Sequence, residues 1–286
     1  MNTILVINDS QEQDYTAIKQ AADLAKAYKA KLHIVSFCYH NLRGVVDIEE
    51  AKARIVQDHH EIAAHKLVNT LQGVADYDFE TVWEKNVALW VNKYVTDFKP
   101  IMVIKTGHRS EALFYTPTDW HLLRECPAPV YIAANKKWHK ANTVLATIDI
   151  ETLMPDKKQL NEKILEHASI LAKQLNTELH VCYAVPVTPI LRKLGIHNKE
   201  KMESDYRADL DDVLKLIATS FGIDINNIHI KAGQVDKVIT SVAADCKASI
   251  VVTGTVGRKG LEQKIIGNTA ESILSLLKTD VLALKP

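Results

Sequence analysis

The sequence predicts an α/β protein made of two tandem five-stranded, parallel, doubly wound sheets of Rossmann-like type, with helices on both faces. Three observations predict it. The chain has 286 residues, too many for one ordinary domain and about right for two of roughly 140 each. It also repeats itself: Leu24-Ala25-Lys26 followed by Leu32-His33 returns, with the same spacing, as Leu171-Ala172-Lys173 followed by Leu179-His180. A repeat that long is a whole domain, not a solenoid unit. Finally, short unbroken apolar runs alternate with stretches of helical periodicity, the signature of parallel β-α-β units with right-handed crossovers.

Each half opens on an apolar run closed by an acid, ILVIND ending at Asp9 and VLATID ending at Asp149. A helix follows in each. Ile18, Ala21, Ala22, Ala25 and Tyr28 mark it in the first half. In the second, Ile164, Ala168, Leu171 and Leu175 recur at i, i+4, i+7 and i+11, one apolar stripe. The second half then reads as five strands, Val144–Ile148, Leu179–Val185, Ile228–Lys231, Ile250–Thr253 and Val281–Leu284. Most are continuous apolar runs, as a sheet covered on both faces requires. The first half has matching late runs, IMVI from Ile101 and VYIA from Val130, and a long helix over Ile48–Leu71. The polar, basic NKKWHKA, Asn135–Ala141, is the natural linker between a first domain at 1–138 and a second at 142–286.

Composition narrows the function. Lysine plus arginine and aspartate plus glutamate are each 35, so no net charge steers the chain to nucleic acid or an anionic membrane. The four cysteines, Cys38, Cys126, Cys182 and Cys246, form no CxxC pair, which speaks against zinc ribbons and thioredoxin-type redox motifs. No run approaches 18 apolar residues and the first ten carry no signal-peptide pattern. The expectation is a cytoplasmic protein without membrane insertion.

In doubly wound sheets ligands bind beyond the carboxyl ends of the strands, where strand order reverses. There the second half carries Gly254, Gly257 and Gly267, spaced G-xx-G-(nine)-G, then Asn268-Thr269-Ala270-Glu271. Six of the ten glycines lie between Gly222 and Gly267, so the enrichment is local to this half. A glycine-rich loop can turn its backbone N–H groups toward one point. The helix marked by Asn268 and Glu271, a capping-box spacing, adds its N-terminal N–H groups and its dipole, together a phosphate cradle. Asp149 closes the first strand beside it, where a carboxylate can accept from ribose hydroxyls or a base amine. The plain alternative is that these glycines are turn residues.

With these residues the sequence resembles the universal stress proteins of the tandem two-domain type, whose nucleotide-binding members carry G-2x-G-9x-G-[S/T] and an aspartate closing the first strand. GTVGRKG with GNTAE, and TPTDWHLLR (Thr116–Arg124), carry the resemblance. It implies a stress-adaptation role and a five-stranded parallel sheet per half, with the two halves pairing within the chain. A homodimer of whole chains stays an open alternative. It also implies ATP or another nucleotide as ligand, with no metal. Asp149 and the backbone at Ala184 would then hold the adenosine end, and Gly254, Gly257, Gly267, Asn268 and Thr269 the phosphates.

Two departures shape the expectation. Asn268 stands where the family has a hydroxyl residue, and as an N-cap its side-chain oxygen is committed to the helix. The first half has lost the pattern: aligning IMVIKTGHR with its twin puts Lys105, His108 and Thr116 at the places of Gly254, Gly257 and Gly267. Pro117 removes an N–H at the place of Asn268, and Asp119 puts a negative charge in the first helical turn. A site in the second half only is expected.

The chain has no GxxxxGK[ST], GxSxG or HExxH, so binding without catalysis is expected. His59, His60, Glu61 and His65 cluster on the long helix, but only Glu61 and His65 have the i, i+4 spacing of a metal pair; a solvated or partly packed face is the expectation. His33 and His180 share a strand position and hence a packing or hydrogen-bonding role. Trp90 and Trp120 read as packing residues, Cys38 and Cys182 as small buried residues at the ends of the second strands. The apolar stretch Pro186–Lys201 reads as a helix-start flap packing on the neighbouring half, or as a mobile lid that makes an apolar cavity over the glycine loop for an amphiphile with a phosphate or nucleotide head. The remaining alternative is a ligand-free interaction scaffold.

Overall fold

The computed structural model describes residues 2–8, 15–72, 76–107, 117–134, 143–188, 190, 193, 198–255 and 268–286. The chain divides into two units, Met1–Lys137 and Trp138–Pro286. The first unit runs β1 (Asn2–Asn8), α1 (Thr16–Tyr28), β2 (Ala30–Cys38), α2 (Ile48–Thr70), β3 (Tyr77–Trp83), α3 (Val87–Phe98), β4 (Met102–Thr106), α4 (Pro117–Glu125) and β5 (Val130–Ala133). The second runs β6 (Thr143–Thr147), α5 (Pro155–Leu175), β7 (Leu179–Pro186), α6 (Lys199–Asp209), α7 (Asp211–Phe221), β8 (Ile228–Gly233), α8 (Val235–Asp245), β9 (Ala248–Gly254), α9 (Asn268–Leu276) and β10 (Asp280–Leu284).

The strands of the first unit lie in the order β3-β2-β1-β4-β5 and those of the second in the order β8-β7-β6-β9-β10. Every pairing within each unit is parallel. Chain direction across the sheet reverses beside the central strand, between β1 and β4 in one unit and between β6 and β9 in the other. With right-handed crossovers, α5, α6 and α7 therefore cover one face of the second sheet and α8 and α9 the other. Burial follows position. All five residues of β4 and of β6 are buried, whereas no residue of the edge strand β3 is.

Local chemistry fixes where the helices begin and end. Asp47 caps α2 by accepting from the Glu50 N–H at 2.9 Å, Asn86 caps α3 through the Leu89 N–H at 3.1 Å, and Pro155 opens α5 with its φ already helical. α1 has no side-chain cap of its own. The Thr106 hydroxyl, at the end of β4, accepts from the Ala17 N–H at 3.1 Å instead. α1 and α5 both end on a left-handed residue, Lys29 and Asn176, whose N–H turns back onto the last carbonyls.

The repeated histidines hold each second strand to its outer neighbour. His33 Nδ1 bonds Asp78 of β3, and its ring stacks on Tyr94 with centroids 4.9 Å apart. His180 Nδ1 lies 2.8 Å from His229 Nε2 of β8, and the two rings stack. The shared role expected of them is met with different partners. Trp90 packs on Phe37 and Tyr94, while Trp120 lies under the Arg124 guanidinium. Cys38 ends β2 as expected, but β7 runs on to Pro186, so Cys182 sits inside its strand and not at its end. Burial pushes the Cys182 thiol up to about 12, leaving it protonated and inert. Two of the α2 histidines pack, His60 stacking on Phe79 and His59 lying against His40, while His65 is exposed. Among the described residues no group of His, Cys, Asp and Glu could hold a metal ion, and no helix is long and apolar enough to cross a membrane.

Two histidines make the second unit acid-sensitive. Burial, aided by Lys163, pushes His167 down to about 4, and burial with His180, Lys231 and Arg207 nearby does the same to His229. An unfolded histidine titrates near 6.5. Between those values the unfolded chain binds protons that the folded unit refuses, so stability present above pH 6.5 is lost as pH falls toward 4. Hydrogen exchange read by mass spectrometry should show peptides of residues 143–286 losing protection between pH 6.5 and 4.5 ahead of those of the first unit. H167Q/H229Q should remove most of that difference.

Candidate functional site

The ladder between β6 and β9 builds the site. Val144 pairs with Ile250 and Ala146 with Val252, so the two strands end at the same level. Asp149 leaves β6 just beyond the point where Gly254 closes β9. A cavity of about 420 Å³ opens there, within the range of small-molecule sites. Asp149, Ala184 and Gly254 all line it. These are three of the seven residues the sequence singles out. Gly257 and Gly267 lie outside the described residues, as does Asp9 in the first half. Asn268 and Thr269 are the first two residues of α9.

The rest of the wall comes from residues that the motif did not name. Leu160 and Ile164 of α5, Val235 and Ile239 of α8 and Ile273 of α9 make it apolar. Gly254 lets α5 come this close: a Cβ there would stand 2.6 Å from Leu160 Cδ2 and 3.3 Å from Ile164 Cδ1. The mouth is polar. Asn161 clamps the main chain of Asp149 from both sides, its Oδ1 accepting from the Asp149 N–H at 3.1 Å and its Nδ2 donating to the Asp149 carbonyl at 2.8 Å. Two residues on, Glu151 accepts a hydrogen bond from the Tyr183 hydroxyl; burial and this carboxylate both raise the tyrosine's pKa. Lys157 Nζ stands 3.4 Å from Asp149 Oδ2. Below them the Thr147 hydroxyl donates to Thr253 Oγ1 at 2.9 Å.

Such a cavity has an apolar slot for a flat or aliphatic group, a fixed carboxylate for hydrogen-bond donors and one ammonium for an anion. Lys157, Asn161, Glu151 and Tyr183 escape a reading based on glycine spacing. The one signal for Lys157 is its place in the first turn of α5, where the helix dipole disfavours a cation.

The comparisons with known proteins agree with this architecture. The model of the Universal stress protein family matches twice, over residues 1–134 and 153–285. The chain belongs to the universal stress protein family. It is 31% identical over 297 aligned residues to "Universal stress protein E" of Escherichia coli K12, covering 99% of this chain and 93% of that one. The homologue in Haemophilus influenzae is 27% identical, covering 100% and 97%. A functionally unknown protein from Pseudomonas aeruginosa PAO1 superposes with a TM-score of 0.74 at 26% identity, covering 100% of this chain and 93% of that one. A universal stress protein from Archaeoglobus fulgidus shares the fold, with a TM-score of 0.69 at 16% identity and coverage of 99% and 98%.

The first unit uses the same crevice differently, and the ladders correct the alignment made from sequence. Ile4 pairs with Met102 as Val144 pairs with Ile250, and Ile7 pairs with Lys105. Counting along the strands, Lys105 therefore stands at the place of Thr253, and Thr106, not Lys105, at that of Gly254. Both runs are largely apolar with no polar–apolar alternation, so their pattern cannot set the register that the ladder sets. Lys105 is 5% exposed, and its ammonium lies 2.9 Å from the carboxylate of Asp119, which is 0% exposed in the first turn of α4. His108 and Thr116 lie outside the described residues. Thr106 fills the glycine position with a side chain bonded to α1. A phosphate arriving there would meet a buried carboxylate already holding the nearby cation.

Breaking a buried pair by removing one partner costs about 3–5 kcal/mol, whereas replacing both with apolar groups is often neutral. K105M should therefore lower the unfolding free energy of the first unit, read from urea titrations followed by the fluorescence of Trp83, Trp90 and Trp120, by an amount in that range. K105M/D119L should recover most of it.

Proposed function

We propose that the chain is a non-enzymatic stress-adaptation protein whose second unit alone holds a nucleotide or another phosphate-bearing ligand. The observation that carries this reading is the contrast between equivalent crevices. In the second unit the strand ends border an open cavity with Asp149 at its mouth and Gly254 in its wall. In the first, the equivalent strand end carries the buried Lys105–Asp119 pair. The family likeness supports a stress role for the whole chain and leaves the ligand to the site.

Within the site, Asp149 accepts from ribose hydroxyls or a base amine, the apolar wall covers the ring, and the loop carrying Gly257 and Gly267 receives the phosphates. The sequence carries no GxxxxGK[ST], GxSxG or HExxH motif, which supports binding without hydrolysis. The same apolar wall favours a second occupant, an amphiphile with a phosphate head, whose chain would take the slot beside Leu160 and Ile239.

Native mass spectrometry of the purified chain, with thermal shift against millimolar ATP, tests the proposal. Retained or added nucleotide is expected, and D149N and G257D should each reduce the shift at least about fivefold while the circular dichroism spectrum stays unchanged. A bound amphiphile would favour the second occupant. No mass addition, no shift and unaltered function in cells after G257D would leave the chain a ligand-free scaffold.

A further inference from the structure

The mouth of the second-unit cavity has a carboxylate on a clamped turn and an ammonium on a long, flexible stem. The main chain of Asp149 is clamped on both sides by Asn161, its carbonyl also accepts from the Thr152 N–H at 3.3 Å, and Glu151 is tied to Tyr183. Lys157 reaches the carboxylate at the end of a four-carbon stem. Among the described residues lining the cavity these two are the charged ones, and the Glu151 carboxylate stands beside them on Tyr183. The pair is 32% and 48% exposed at 3.4 Å, a geometry in which an ion pair contributes less than about a factor of ten to an equilibrium constant. Lys157 also sits where the dipole of α5 opposes it. It is therefore a cation held in place weakly, at the edge of a cavity large enough for a ligand.

A ligand that donates hydroxyls or an amine to Asp149 competes with Lys157 for the same oxygens. Displaced without a partner, the ammonium would return to water and the exchange would gain little. Displaced by a ligand that brings its own anion, it trades a long, half-exposed contact with the carboxylate for one with the ligand's anion, and neither charge is left unpaired. We propose that Lys157 is the residue that sets the charge requirement of the site: it leaves Asp149 for the anionic group of the ligand, so that the site selects a phosphorylated nucleotide over the neutral nucleoside. The inference rests on the nucleotide reading given above and adds to it the class of ligand preferred and the side chain responsible.

Titration calorimetry of the full chain with ATP, AMP and adenosine tests it, using wild type, K157M and K157R, each with its melting temperature measured. Wild type should bind ATP at least about tenfold more tightly than adenosine, with a preference that shrinks as KCl rises. K157M should weaken ATP and AMP about tenfold and leave adenosine unchanged or tighter, because Asp149 is then uncontested. K157R should keep the preference. Equal losses for ATP and adenosine in K157M, or none for either, would overturn the role of Lys157 while nucleotide binding by wild type stands. Wild type taking up none of the three at millimolar concentration would overturn the nucleotide reading, and this inference with it.

Discussion

The parallel ladder between the central strand and its neighbour across the reversal point is the constraint on which the rest depends. In the second unit it brings the ends of β6 and β9 to one level, and from there the consequences are local. The chain leaving β6 must turn into α5, and it does so through Asp149, whose backbone polar groups would be exposed at the strand end without Asn161 to satisfy them. The chain leaving β9 must let α5 pass, which the missing side chain at Gly254 permits. A cavity between these ends follows from the register before any particular side chain is chosen to line it.

The same register in the first unit sets different chemistry at the equivalent strand end. Thr253 becomes Lys105, Gly254 becomes Thr106, and α4 carries Asp119 in its first turn. The incoming charge is matched within the unit, since a lone buried lysine would be far less stable than the pair. The hydroxyl of Thr106 also satisfies an N–H of α1 that has no cap of its own. Ala17 stands where the repeat places Ile164, so the first unit exchanges a large helix residue and a glycine for a small helix residue and a threonine. Total volume is roughly conserved, and this is the kind of change a packed interface tolerates.

Much of the fold was legible because the signals were redundant. The LAK…LH repeat, the unbroken apolar strands and the helical stripes each point to the same β-α-β plan, so no single one had to be right. The site was legible only where it depends on backbone geometry. Gly254 and Asp149 stand out because strand ends need such residues; Ala184 came through the family resemblance. Lys157, Asn161 and Tyr183 are ordinary residues in ordinary elements, and only three-dimensional packing brings them to the mouth. The alignment error at Lys105 has the same origin. IMVI and IVVT are interchangeable as apolar strings, and a shift of one residue is invisible until the strands are paired. Cys182 was misplaced for a related reason: the apolar run of β7 gives no sign of where pairing with β8 stops.

Opening a crevice has a consequence for the unit that carries it. The volume left beside Leu160 and Ile239 is volume in which side chains make no contacts, and uncontacted apolar surface forfeits dispersion energy that a filled core would retain. The acid-labile histidines, His167 and His229, lie in that same unit. The second unit is thus the one whose stability responds to its surroundings. Protons lower it through groups far from the mouth, and anything bound only to the folded form raises it by about 2.7 kcal/mol at a hundredfold excess over its dissociation constant. At the equivalent strand end of the first unit, among the described residues, Lys105 is paired with Asp119. In the second unit, then, the open strand ends and the buried histidines lie in one fold, and both bear on how stable that unit is.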